Sequence, residues 1–392
     1  MAAQILPDLN FMRVDQVGSL LRPAKLKEAF AKCDQELIDG GKLRQVQDEA
    51  IRDVIATQEA HDLPVVTDGE YRRLNYMESF YGVGGFEGLH RWDALVRSDA
   101  RSMSAPAIPM KRRDSVLFAK VPVTQRLRLV LNRPLEEYLF ASRCTSRPVK
   151  TTLISTDRIV ETFDLEKSRT VYSDVDEFLD DVVRVERRMV EEVVQAGCRY
   201  VQIDGPSYTS YVDPTCVAAM RANGEDPLAN LTRSIKADNV VIDGLPGVTF
   251  GLHVCRGNRQ SMWRREGFYD AIAECLFNNV HHQRLLLEYD TERAGNFEPL
   301  RLVPKGKIIV LGLITTKVGR VETVDELKRR IDDASRYIAI EQLALSPQCG
   351  FASDIQGNLL SEDEQWRKLD VMLETARQVW TGTRNAEMYQ MP

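Results

Sequence analysis

The chain has 392 residues, 43% of them apolar, with 52 basic against 58 acidic side chains and a net charge of −6. That balance argues against a general nucleic-acid or membrane-surface binder, and the composition excludes a disordered chain. No apolar run reaches the roughly 18 residues of a bilayer-spanning helix.

Residues 1–10 show neither a basic nor an apolar leader segment, so no secretory signal is expected. Seven cysteines, an odd number spread along a long chain, read as reduced thiols in a cytoplasmic setting rather than a disulfide scaffold.

Taken in order, strands are expected at 11–18, 63–67, 149–155, 199–203, 248–253, 285–289, 308–313 and 343–345. Several are nearly continuous apolar runs, the pattern of strands covered on both faces. Between the first two lies a helix over 42–61, with Leu43, Val46, Ala50 and Val54 on one face. Residues 86–147 read as a polar, turn-rich insertion or lid between strands two and three. Its 91–120 portion carries seven basic and three acidic residues. Gly82–Gly85 reads as a flexible turn.

After strand three, Ser173 is a candidate cap for a helix whose Phe178, Leu179, Val182, Val185, Met189, Val190 and Val193 share a face, and Gly197 stops it. Trp263, Tyr269 and Phe277 read as packing for a helix after strand five, and His281–His282 as a surface pair. Thr323 with Glu326 and Ser361 with Glu364 form capping boxes for the last two helices. Eight strand–helix alternations predict a single α/β domain over 1–392, a (β/α)8 TIM barrel with the 86–147 insertion. The rival doubly wound sheet lacks its GxGxxG.

Chemistry concentrates at the predicted strand ends. In Gly251-Leu252-His253-Val254-Cys255-Arg256-Gly257-Asn258, His253 and Cys255 are two apart and project to one side of a strand. Strand six ends in Glu288, and Cys349 follows strand eight in Ser346-Pro347-Gln348-Cys349-Gly350-Phe351. All four sit on the rim where a barrel collects its active site. An imidazole, two thiolates and a carboxylate suit zinc better than calcium or magnesium. Taken singly, Cys349 reads equally as core and Glu288 as a partner for Arg293. Arg256 and Asn258 read as shaping or solvating the adjacent loop.

With these motifs go Val17–Pro23, Thr67-Asp68-Gly69-Glu70-Tyr71-Arg72-Arg73, Gln202-Ile203-Asp204-Gly205-Pro206 and Leu287–Gly295. Together they resemble the catalytic C-terminal barrel of cobalamin-independent methionine synthase, and most closely its short, single-barrel, methionine synthase II-like members. The resemblance implies His253, Cys255, Glu288 and Cys349 as zinc ligands. It implies Glu70 and Asp204 as holding the ammonium of homocysteine, and Ser19 with nearby backbone N–H groups its carboxylate. Glu70 and Asp204 also follow strands two and four on the same rim, where the alternative role is ordering loops.

Zinc would make the thiol a nucleophile at neutral pH, with Glu288 the ligand expected to loosen as sulfur enters. The donor would be methyltetrahydrofolate or another methylated compound. The chain departs from the full-length synthases in two places. No histidine stands in Leu311–Lys317 after strand seven, and Thr151–Ser155 lacks a Gly-Pro turn. Lys317 or a water is the stand-in proton donor. Two other readings stay open: an epoxyalkane:coenzyme M transferase-type enzyme, and a non-catalytic zinc barrel.

Overall fold

The structure, a computed structural model, describes residues 9–86 and 120–380. A short antiparallel pair, β1 (Val83–Gly84) with β2 (Arg128–Leu129), precedes a six-stranded parallel sheet. Its order is sequential: β3 (Lys150–Ile154), β4 (Tyr200–Asp204), β5 (Thr249–Val254), β6 (Arg284–Glu288), β7 (Ile308–Ile314) and β8 (Leu343–Pro347). Every residue of these six strands is buried, because crossover helices cover one face and the barrel interior fills the other. The helix Val175–Gln195 buries the predicted apolar face.

The first two predicted strands are reduced to single parallel bridges, Val14 with Leu345 and Val66 with Val149. They set the first segment beside β8 and the second beside β3, so the sheet curls into the expected barrel. Between the two segments side chains replace a ladder. Gln16 Nε2 donates to Val65 O and to Gln58 Oε1. Gln58, on the helix Gly40–Ala60, in turn satisfies both the N–H and the C=O of Thr67. Pro64 has no N–H to offer a ladder.

Other expectations need correction. The cap of Val175–Gln195 is Asp174, which accepts from Glu177 N at 2.8 Å, with Ser173 one residue outside. A carboxylate at that position also meets the positive end of the helix dipole. Gly82–Gly85 is not a free turn, since β1 pairs there with β2. Of the 86–147 stretch, 87–119 lie outside the described residues, including nearly all of the basic portion. The described remainder contains an unanticipated helix, Arg133–Ala141, capped by Asn132 with Pro134 in its first turn.

His281 is exposed beside Asp243, but His282 is fully buried and neither of its ring nitrogens has a hydrogen-bond partner among the described residues. It precedes Arg284 by two and so shares the inward parity of that side chain. Burial pushes its pKa down to about 3, so it is neutral.

Candidate metal centre

β5 delivers His253, and Cys255 follows at its C-terminal end on the same side. The loop after β8 delivers Cys349. The ligand atoms of these three lie within 4.8 Å of one another, the single such group among the described residues, and all three side chains are buried. The two sulfurs stand 3.8 Å apart. That is the edge of a tetrahedron with metal–sulfur bonds of about 2.3 Å, as zinc makes.

Glu288 is not brought into this group. At the end of β6 and fully buried, its Oε1 accepts from Arg293 Nε and its Oε2 from Arg256 N, each at 2.8 Å. Burial alone would raise its pKa, but the Arg293 and Arg256 charges outweigh that and hold it below the usual range. The pairing with Arg293 weighed from sequence is thus present.

The imidazole is oriented from behind. Asp204 and His253 are register partners across β4 and β5, and His253 Nδ1 lies 2.9 Å from Asp204 Oδ1. Nε2 lies 3.3 Å from the Gln348 carbonyl. Burial works to lower the His253 pKa, but Cys255 and Asp204 raise it to about 10. The S–H of Cys349 and the His253 imidazolium hold Cys255 well below an ordinary thiol, which leaves Cys349 pushed up.

A cleft opens on this group, with Ser19, Glu70 and Asp204 in its wall. All three predicted substrate positions are thus beside the His253–Cys255–Cys349 group. Ser19 lies so close to Gly350 that a Cβ there would sit 1.9 Å from Ser19 Oγ. Glu70 adopts a left-handed φ of 59°. Its Oε1 accepts from Thr152 Oγ1 at 2.8 Å and from Arg73, while Oε2 is buried without a partner among the described residues. Burial, opposed by Arg73 and reinforced by Asp204, pushes its pKa up to about 7.

Behind Glu70, Arg73 is locked by Glu137 at 2.5 Å and by the Thr152 carbonyl. Sequence reading passed over this support. Arg73 stood in the quoted motif, but Glu137 comes from the unanticipated helix.

Lys317 is buried with its ammonium donating to Gly257 O at 2.9 Å and Asn258 Oδ1 at 3.0 Å. Burial lowers its pKa. Asn258 also donates to Gly350 O and Ser353 Oγ, tying the β5 loop to the β8 loop. Arg256 is fully buried and braces the β6 end through the Glu288 carbonyl. Tyr269 and Phe277 are core residues around the helix Ala273–Asn279. All seven cysteines are free, and no helix among the described residues is long and apolar enough to cross a membrane.

A sequence model of the cobalamin-independent synthase catalytic domain matches residues 13–378. The uncharacterised Bacillus subtilis protein YxjH is 35% identical over 94% of each chain. A methionine synthase of Pyrococcus abyssi is 22% identical over 94% of this chain and 93% of its own. Among solved structures, a candidate vitamin-B12-independent methionine synthase from Listeria monocytogenes superposes with a TM-score of 0.70. It shares 25% identity and covers 96% of this chain and 99% of its own.

Proposed function

The chain belongs to the cobalamin-independent synthase catalytic-domain family, and from that premise we propose that it is a zinc-dependent methyltransferase converting homocysteine to methionine. The observation that carries the reading is the buried His253–Cys255–Cys349 trio opening on a cleft whose wall holds two carboxylates. The donor set fits zinc: two sulfurs at tetrahedral spacing and one imidazole whose far nitrogen is already held by a carboxylate. Zinc bound there would supply one thing, a lowered thiol pKa that makes the sulfur nucleophilic at neutral pH.

The rest is done by the chain. Three protein ligands leave a fourth position for the substrate sulfur, the arrangement of a catalytic rather than a closed structural site. Glu288, the fourth ligand in this reading, is held by Arg293 and the Arg256 N–H, with a lone pair left on each oxygen for a metal. As the carboxylate of the set, it is the ligand that loosens as the substrate sulfur enters. Glu70, with an unpartnered oxygen, and Asp204 receive the ammonium, and charge-assisted bonds make that contact directional. Ser19, against Gly350, receives the carboxylate. Lys317 braces the β5 loop with two of its three N–H groups, and the third is the one left to act as proton source. The domain acts as one barrel over 1–392, with 86–147 as its insertion, and the donor is methyltetrahydrofolate or a simpler methylated compound.

The test is to incubate zinc-loaded protein with homocysteine and each candidate donor and to follow S-methylation by mass spectrometry. Methionine formation that vanishes when the metal is stripped and returns with zinc supports the reading. Equal turnover by metal-free protein overturns it. Turnover only of an epoxide with coenzyme M would put an epoxyalkane transferase in its place, although a sulfonate beside Glu70 and Asp204 would meet like charge.

A further inference from the structure

The imidazole of His253 has an acceptor on each side, Asp204 Oδ1 at 2.9 Å from Nδ1 and the Gln348 carbonyl at 3.3 Å from Nε2. Only one neutral tautomer can ligate through Nε2, the one that keeps its proton on Nδ1. We infer that Lys150 and Gln202, deep in the barrel and outside the substrate cleft, are positioning residues that select this tautomer through Asp204. The inference rests on the metal-centre reading above.

The argument is a count of donors along a buried chain. Asp15 is fully buried at the barrel floor, held by Arg284, Tyr200 and Lys150. Lys150 offers three N–H groups and no acceptor. They go to Asp15 Oδ1 at 2.8 Å, to the Gln16 carbonyl, and to Gln202 Oε1 at 2.8 Å. Because lysine can only donate, the atom of Gln202 facing it must be the amide oxygen. Lys150 thereby settles an amide orientation that coordinates alone leave ambiguous.

The Gln202 NH2 group must then point the other way. It donates one hydrogen to Val17 O at 2.7 Å and the other to Asp204 Oδ1 at 2.8 Å. Asp204 Oδ1 is therefore an acceptor on that side and cannot carry a proton between itself and Gln202. That donor favours the ionised carboxylate, an acceptor-only group, so at the oxygen's remaining contact, His253 Nδ1, the hydrogen belongs to the imidazole. Nε2 is left with its lone pair toward the two sulfurs. A charged acceptor also outcompetes the more distant Gln348 carbonyl.

Strand register makes the chain possible. Thr152 pairs with Gln202 and Asp204 with His253, while Lys150, Gln202 and Asp204 share one parity and all face the barrel interior.

Wild-type protein is first titrated with zinc against a chromophoric chelator. Failure to bind would sink the metal-centre reading itself. With binding in hand, Gln202→Glu tests the inference alone. The new carboxylate still accepts from Lys150 but cannot donate to Asp204, and it places two carboxylates about where a 2.8 Å hydrogen bond stood. Zinc affinity is expected to fall roughly 10- to 100-fold, the usual effect of losing an outer-shell partner, with the melting curve still cooperative.

Gln202→Leu should lose a similar factor. Lys150→Met should lose less and add nothing on top of Gln202→Leu, since both act through one contact. Wild-type affinity in Gln202→Glu, or full additivity in the double variant, overturns the proposal. If the variants do not fold, 15N-histidine spectra of the zinc-loaded wild type decide, with five histidines to assign. A protonated Nδ1 and a metal-bound Nε2 at His253 are expected, and the reverse assignment overturns it.

Discussion

Changing Glu70 to glutamine removes one charge from the cleft while nearly preserving shape, and its effect on amino-acid binding should depend on pH in a calculable way. Glu70 Oε1 is satisfied by Thr152 and Arg73, but Oε2 is buried and unpartnered, and burial pushes the pKa from the ordinary 4.5 up to about 7. The rise corresponds to about 3 kcal/mol against ionisation in the empty site.

Folded, this carboxyl holds its proton to near pH 7; unfolded, it releases it near 4.5. Its contribution to stability is thus complete below pH 4.5 and is lost as pH rises toward 7. Ligand binding runs the other way, because an ammonium bonds only to the ionised form. Methionine, which has no thiol proton to lose, isolates the effect. Its Kd, measured calorimetrically, should tighten about tenfold per pH unit from 5 to 7 and then level off.

In Glu70→Gln the slope should vanish. At pH 8 affinity should fall roughly 10- to 150-fold, the worth of a charged hydrogen bond at about 1.5–3 kcal/mol. A flat wild-type profile across pH 5–7, or unchanged affinity in the variant at pH 8, would refute the assignment of Glu70 to the ammonium.

Replacing Cys255 by serine removes one of the three clustered ligands. Bound zinc by elemental analysis and methyl transfer should both fall to background, while circular dichroism stays that of the intact barrel. Gly350→Ala puts a Cβ 1.9 Å from Ser19 Oγ. Overpacking there should cost about 1–3 kcal/mol in urea unfolding, and displacement of Ser19 should weaken amino-acid binding as well. Arg73→Met strips a buried carboxylate, Glu137, of its partner. Destabilisation of about 3–5 kcal/mol is expected by chemical denaturation, whereas Arg73→Met with Glu137→Leu should recover much of it.

The order of elements and the gathering of His253, Cys255 and Cys349 were legible along the chain, because both depend on local rules. Alternating parity in a strand puts His253 beside Cys255 whatever the rest does, and apolar runs between capped helices announce a parallel sheet. The first two strands were less so. Their spacing suggested ladders, but Pro64 and the polar reach of Gln16 and Gln58 replaced backbone pairing with side-chain bonds that no periodicity encodes.

Glu288 shows the same division. Its position at a strand end and Arg293 as an alternative partner could both be read from the sequence, but not the second partner, the Arg256 N–H. The Arg293 guanidinium and the Arg256 backbone N–H come from separate turns, and only folding brings them onto the two carboxylate oxygens. His282 likewise could be placed before β6 but not inside the core, since one residue of register decides which face a side chain takes. The kinds of atoms available to a metal, and the edge on which they gather, were therefore written in the chain. Which oxygen faces which proton was settled only when segments as far apart as Asp15, Lys150, Gln202 and His253 met in one low-dielectric interior, where an unpaired donor is costly and most find an acceptor.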